Sequence, residues 1–167
     1  MAKSVLVSVL ILLVAALFES AILSNISFLP AVPDLVLLCS IYLSLVNGRG
    51  YGVSTGFISG LFCDFMSACP FGLNCLLRSI LGYFPGFFEG SINFTGFFIP
   101  AAFGLVGTLC KALCIWIISL FFTSVQTYNI ISLSFVVELV LNTLLAPLIF
   151  KLLHSFIRTI SLSDGDI

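Results

Sequence analysis

Gly52-Val-Ser-Thr-Gly56-Phe-Ile-Ser-Gly60-Leu-Phe-Cys-Asp64-Phe-Met-Ser67 is the stretch that decides how this chain is built. Gly52, Gly56, Gly60 and Asp64 stand four residues apart, so on a helix they share one face. Gly56-x3-Gly60 is the small-residue spacing that lets two helices meet backbone to backbone in a membrane. Past Pro70 and Gly72, the series Arg78, Gly82, Gly86 and Gly90 repeats the interval. Two such faces joined by a short turn read as a tight antiparallel hairpin. At 1.5 Å per residue, Asp64 lies about 6 Å inside its outer end and Arg78 about 9 Å inside its own. The depths match, and an Asp64–Arg78 ion pair framed by glycine faces is expected.

Working outward, the composition states the solvent. Residues of the AVILMFWYC set make up 60% of the 167 residues and charged residues only 8%, where a soluble domain carries about 25%. The mean hydropathy is +1.28. So few charges cannot cover a water-facing surface, so the fold class is an all-α integral membrane protein. A net charge of −1 leaves no basic stripe for nucleic acid. A single histidine and no clustered Cys/His pairs give no protein-ligated metal site, and no cofactor motif is present. The six cysteines read as small apolar packing residues. Cys69 and Cys75 flank the hairpin turn, where an oxidising compartment would allow a disulfide.

Six segments approach the roughly 20 apolar residues a crossing needs: Ser4–Ser24, Pro33–Val46, Tyr51–Ser67, Gly72–Phe88, Phe97–Thr123 and Ile130–Leu153. They make one polytopic domain over residues 1–167. The second is short, so it begins earlier or is thinly covered by lipid. Pro33-Asp34 suits its first turn, proline by its fixed φ and aspartate by the helix dipole. Lys3, Arg49, Lys151 and Arg158 all fall on one side, and the connections near 25–32, 68–71 and 124–129 carry no Lys or Arg. The positive-inside rule therefore places both termini in the cytoplasm.

Charge inside the spans is where function is sought, because each such group costs roughly 2.5–3.5 kcal/mol at a helix centre. Glu19, Asp64, Arg78, Lys111 and Glu138 are internal, and Asp34 sits at an outer helix start. Most gather toward the outer side. A polar pocket, an internal locking network and a surface for a partner's helix all fit such a set; network plus partner contact is the favoured reading. In the last span Pro147 is expected to kink the helix, with Asn142 bonding the freed backbone or a neighbour. Catalytic patterns lack their context. Gly52-x-Ser54-x-Gly56 opens a membrane helix rather than a strand-to-helix elbow. Ser59 and the sole histidine, His154, differ in depth too far for a nucleophile–base pair.

Four stretches together resemble the MreD family of bacterial rod shape-determining proteins. They are Phe28-Leu-Pro-Ala-Val-Pro33-Asp34-Leu, then Thr55 to Ser67 running into Pro70-Phe-Gly72-Leu, then Gly82-Tyr83, and last Asn142 to Pro147 with Lys151 and Arg158 beyond. Arg78 and Lys111 fall outside the family pattern. The resemblance implies a fold similar to the S components of energy-coupling-factor transporters. It implies a non-enzymatic inner-membrane member of the elongation complex that organises lateral peptidoglycan synthesis. Its expected partners are MreC first, then MreB, and RodA with its transpeptidase. Asp34, Asp64 and Asn142 map onto motif positions and are expected to shape helix packing or the MreC contact. The rival expectation is a vitamin-like substrate-binding S component.

Overall fold

A computed structural model of the chain describes residues 2–21, 30–67, 70–90, 96–121 and 132–161. Among them the regular elements are all helical: α1 (Ala2–Ala21), α2 (Leu35–Met66), α3 (Leu73–Tyr83), a 3-10 turn (Pro85–Phe88), α4 (Phe98–Phe121), α5 (Leu133–His154) and a single turn, α6 (Ile157–Ile160). Among the described residues, three helical stretches are long and apolar enough to cross a membrane: Lys3–Ala21, Phe98–Phe121 and Leu133–His154. Their uncovered faces are apolar, with Leu6, Leu10, Val106, Leu113, Leu144 and Leu148 exposed.

The second and third expected spans form one helical run, α2, broken at Gly48. Its φ of 83° and ψ of 179° are reached by glycine at little cost and by few other residues. In an unbroken helix Ser44 and Gly52 would stand about 12 Å apart along the axis. Instead, a carbon added at Gly52 would strike both the Ser44 hydroxyl and the Gly82 carbonyl. The chain therefore reverses at Gly48, and the arms 35–47 and 49–66 lie side by side. The Glu89 carboxylate occupies the space where a Gly48 side chain would go.

The first arm is the centre of the bundle. Val36 through Leu45 are all buried, which explains an apolar sequence with no polar face. This corrects the expectation of thin lipid cover, since the short segment is covered by protein. It also starts later than Pro33. Asp34 is its N-cap, with Oδ1 accepting from the Leu37 N–H at 2.8 Å. Nor is the fourth expected span helical to Phe88. Pro85 brings no N–H to the ladder, and the chain tightens into the 3-10 turn after Tyr83.

The second arm packs on α3 through its glycines. A carbon at Gly56 would overlap the Arg78 carbonyl, and one at Gly60 would lie 2.5 Å from both Asn74 O and Cys75 Cα. Gly82 meets Gly52, and Gly86 meets the Arg49 backbone. The α4–α5 pair closes in the same way, Gly104 against Ala146 and the Asn142 carbonyl. At one end of the bundle, Ser4 Oγ donates to Ser161 O at 3.3 Å and Tyr51 OH to Ser8 Oγ at 2.8 Å. The described starts of α1 and ends of α6 thus share an end, and Arg49 joins them beside Tyr51. Cys69 and the expected outer connections 25–29, 68–69 and 124–129 lie outside the described residues, so the Cys69–Cys75 question does too. Among the described residues, Cys39, Cys63, Cys75, Cys110 and Cys114 form no disulfide with one another.

Candidate functional site

At the other end the charges meet, and Asp34 is their centre. Its Oδ1 caps Leu37 and also accepts from Arg78 Nη2 at 2.9 Å; its Oδ2 accepts from Lys111 Nζ at 2.6 Å. Lys111 Nζ also donates to Glu138 Oε1 at 2.8 Å. One chain of alternating charge therefore joins α3, the start of α2, α4 and α5. Asp34 is 2% exposed, Glu138 4% and Arg78 6%. In apolar surroundings such charges persist only when paired and hydrogen-bonded.

Asn142 extends the junction. Its Oδ1 accepts from the Asp34 N–H at 2.8 Å and its Nδ2 donates to Thr108 Oγ1 at 2.9 Å. Thr108 donates in turn to the Gly104 carbonyl at 2.8 Å. Asn142 thus serves the neighbouring helices α2 and α4 rather than backbone freed by Pro147, through which α5 runs. From α1, Glu19 Oε2 accepts from the Val36 N–H at 3.3 Å. The orphan donors at the start of α2 are therefore shared among Asp34, Asn142 and Glu19.

The expected Asp64–Arg78 pair does not form. Asp64 Oδ2 accepts from the Gly72 N–H at 3.0 Å and the Cys75 N–H at 3.3 Å; Oδ1 accepts from the Asn74 N–H and Nδ2, both at 3.0 Å. The carboxylate caps the first turn of α3 from the neighbouring helix. The physical reason is local. Four unsatisfied N–H groups at a helix start offer an anion a closer set of donors than a cation a turn deeper. Gly72, at φ 94°, bends the chain so that its own N–H faces Asp64. Pro70 is exposed and gives its carbonyl to the Leu73 N–H at 3.2 Å. Asp64→Ala is accordingly expected to cost about 0.5–2 kcal/mol, the range for a lost N-cap. Thermal unfolding of the purified protein measures it. A loss as large as that from removing Asp34 would contradict this division of roles.

Between the ends of α1 and α2 and the start of α3 lies a cavity of about 300 Å³, bordered by Glu19, Asp34, Asn74, Arg78 and Lys111 among others. Network and pocket therefore coexist. The sequence reading under-rated Asp34, taking it for an ordinary helix start, and left Lys111 and Glu138 without partners. A usable signal was present: the charges toward the outer side of the spans and at their mid-depth are three carboxylates (Glu19, Asp34, Glu138) and two cations (Arg78, Lys111), besides Asp64. Ser59 spends its hydroxyl on the Gly56 carbonyl at 2.9 Å, and His154 Nδ1 lies 3.4 Å from the Tyr42 hydroxyl. No group of three or more metal-ligating side chains occurs among the described residues.

No curated protein and no solved structure matches the chain. The family model described as rod shape-determining protein MreD matches residues 2–156, nearly the whole sequence. The chain belongs to the MreD family of rod shape-determining proteins.

Proposed function

We propose that this member of the family is a non-enzymatic scaffold of the elongation complex in the bacterial inner membrane. In this reading it organises lateral peptidoglycan synthesis by holding MreC as its main partner, with MreB and RodA with its transpeptidase as further partners. The observation that carries the reading is how the charged groups are spent. Asp34, Arg78, Lys111 and Glu138 bond one another and tie four chain segments at one point. Such a junction fixes helix positions, and a fixed surface is what an adaptor needs. The test is replacement of the native copy in a rod-shaped host, read by cell shape and by cross-linking to MreC. Rods with MreC cross-links support the reading; normal rods with no MreC contact contradict it. The match to the family lends no support to the vitamin-binding rival.

We further propose six crossings in an S-component-like bundle, with both termini cytoplasmic. The reversal at Gly48 and the shared end of Ser4 and Ser161 support an even number of passes. Topology reporters fused after Ser27 and after Ile167 are expected to read outside and inside, respectively. A fusion at Ile167 that reads outside contradicts the proposal.

A further inference from the structure

All six Lys and Arg residues of the chain lie among the described residues. Arg78 and Lys111 are spent in the charge junction. Lys3, Arg49, Lys151 and Arg158 are exposed and form no ion pair among the described residues. The fold draws two of them together. Ser4 and Ser161 stand 157 residues apart in sequence, and their hydrogen bond sets the first turn of α1 against α6. Tyr51 OH also donates to Ser4 O at 3.3 Å, and Ile160 is fully buried in the core. Lys3 adjoins Ser4, and Arg158 lies one helical turn before Ser161. Neighbouring Cα atoms are about 3.8 Å apart and successive turns about 5 Å, so two long cationic side chains start within reach of one point. Below Lys3 the exposed face is apolar. Leu6 and Leu10 share its side of α1 and are 65% and 55% exposed, and Val14 and Leu17 continue the stripe. Arg49 is placed differently. Its guanidinium stands 4.6 Å over the Phe87 ring, and the Glu89 carboxylate lies beside neighbouring Gly48.

We propose that the joint of α1 and α6 binds one anionic phospholipid of the phosphatidylglycerol class. Lys3 and Arg158 take its phosphate, and an acyl chain lies along Leu6 and Leu10. Charge and surface together select this occupant. Two cations without a counter-charge call for an anion. A soluble anion gains nothing from the apolar stripe, and a purely apolar partner leaves both cations unmatched. A zwitterionic lipid brings the same phosphate but also an ammonium, which like charges repel. A Lys or Arg near an anionic lipid surface is worth about fivefold in binding, and two at one phosphate about 25-fold. The inference stands apart from the scaffold reading. It needs the chain to lie in a bilayer, and it needs neither MreC nor a particular leaflet.

The test is native mass spectrometry of the full chain, offered equal amounts of phosphatidylglycerol and phosphatidylethanolamine. The expected result is one phosphatidylglycerol retained per chain, favoured about 25-fold and weakened by added salt. Lys3→Gln and Arg158→Gln should each lower the preference about fivefold, and the double variant should abolish it. Both side chains are exposed and unpaired, so an unchanged melting temperature is expected and shows that the variants fold. Arg49→Gln is the control for diffuse attraction to an anionic surface and should leave the preference intact. Equal retention of the two lipids, or a preference that survives the double substitution, overturns the proposal. So does a loss from Arg49→Gln as large as that from Lys3→Gln, because the attraction would then have no fixed place. Displacement of the lipid by equimolar free glycerol 3-phosphate would give the joint to a soluble anion, and displacement by an equimolar tetraglutamate peptide would give it to an acidic protein segment. Either result also overturns the proposal.

Discussion

Asp34→Leu is expected to remove most of the folded protein from the membrane. The substitution takes from Arg78 its bonded carboxylate, from Lys111 one of its two ion pairs, and from the Leu37 N–H its cap. Removing one member of a buried ion pair costs about 3–5 kcal/mol, because the abandoned charge stays buried. Whole domains have only about 5–15 kcal/mol to lose. Steady-state abundance and thermal unfolding in detergent both report it. Adding Arg78→Leu should recover part of the loss, since a buried pair exchanged for apolar groups of similar size is often neutral. Asp34→Leu protein that accumulates and melts like the parent would show that the junction contributes little.

Gly60→Leu should be nearly as damaging, by a different route. The atoms that block a side chain there are the carbonyl of Asn74 and the Cα of Cys75, at 2.5 Å from the first added carbon. Backbone cannot swing aside as the end of a long side chain can. The cost falls at or above the upper end of the about 1–3 kcal/mol seen for overpacked cores. Prising α3 from the second arm of α2 also draws Arg78 away from Asp34, so steric damage becomes electrostatic damage. Host cells relying on this variant should round up. Phe57→Leu, on the exposed side of the same arm, is the control and should leave rods unchanged. Normal rods with Gly60→Leu would contradict the close approach of these two segments.

Much of this arrangement was readable from spacing alone, and the parts that were not have a common cause. Glycines four residues apart announce a close-packed face, and the structure puts Gly52, Gly56 and Gly60 against α3. That pattern is periodic and local. The partner of Arg78 is neither. Asp34 lies 44 residues away on a different segment, and Asn142 reaches Asp34 across 108. Depth counting put Asp64 and Arg78 near one level, but the structure sets the Arg78 backbone opposite Gly56, about two helical turns from Asp64, and depth does not say which side of a helix a neighbour occupies. It also ignores the competing demand of a helix start, where unsatisfied N–H groups took the Asp64 carboxylate first. The short second span misled for another reason. Uniform apolarity reads alike whether lipid or protein supplies the cover, and only the packing of 35–45 distinguishes them. The spans expected at 33–46 and 51–67 left four residues between them, and the structure makes that reversal at the single residue Gly48, whose positive φ the spacing of apolar residues does not announce.

Membership of the MreD family makes the chain a shape-determining membrane protein, and the account of how it works rests on the charge junction as the tie between helices. The most direct measurement is a double-mutant cycle on Asp34 and Arg78, using Asp34→Asn and Arg78→Gln, read by reversible unfolding in mixed micelles. Contacting residues in one network show interaction energies of about 0.5–3 kcal/mol, and for this buried pair the account predicts a value at the top of that span. Effects that add to within about 0.5 kcal/mol, as independent distant sites do, would contradict it.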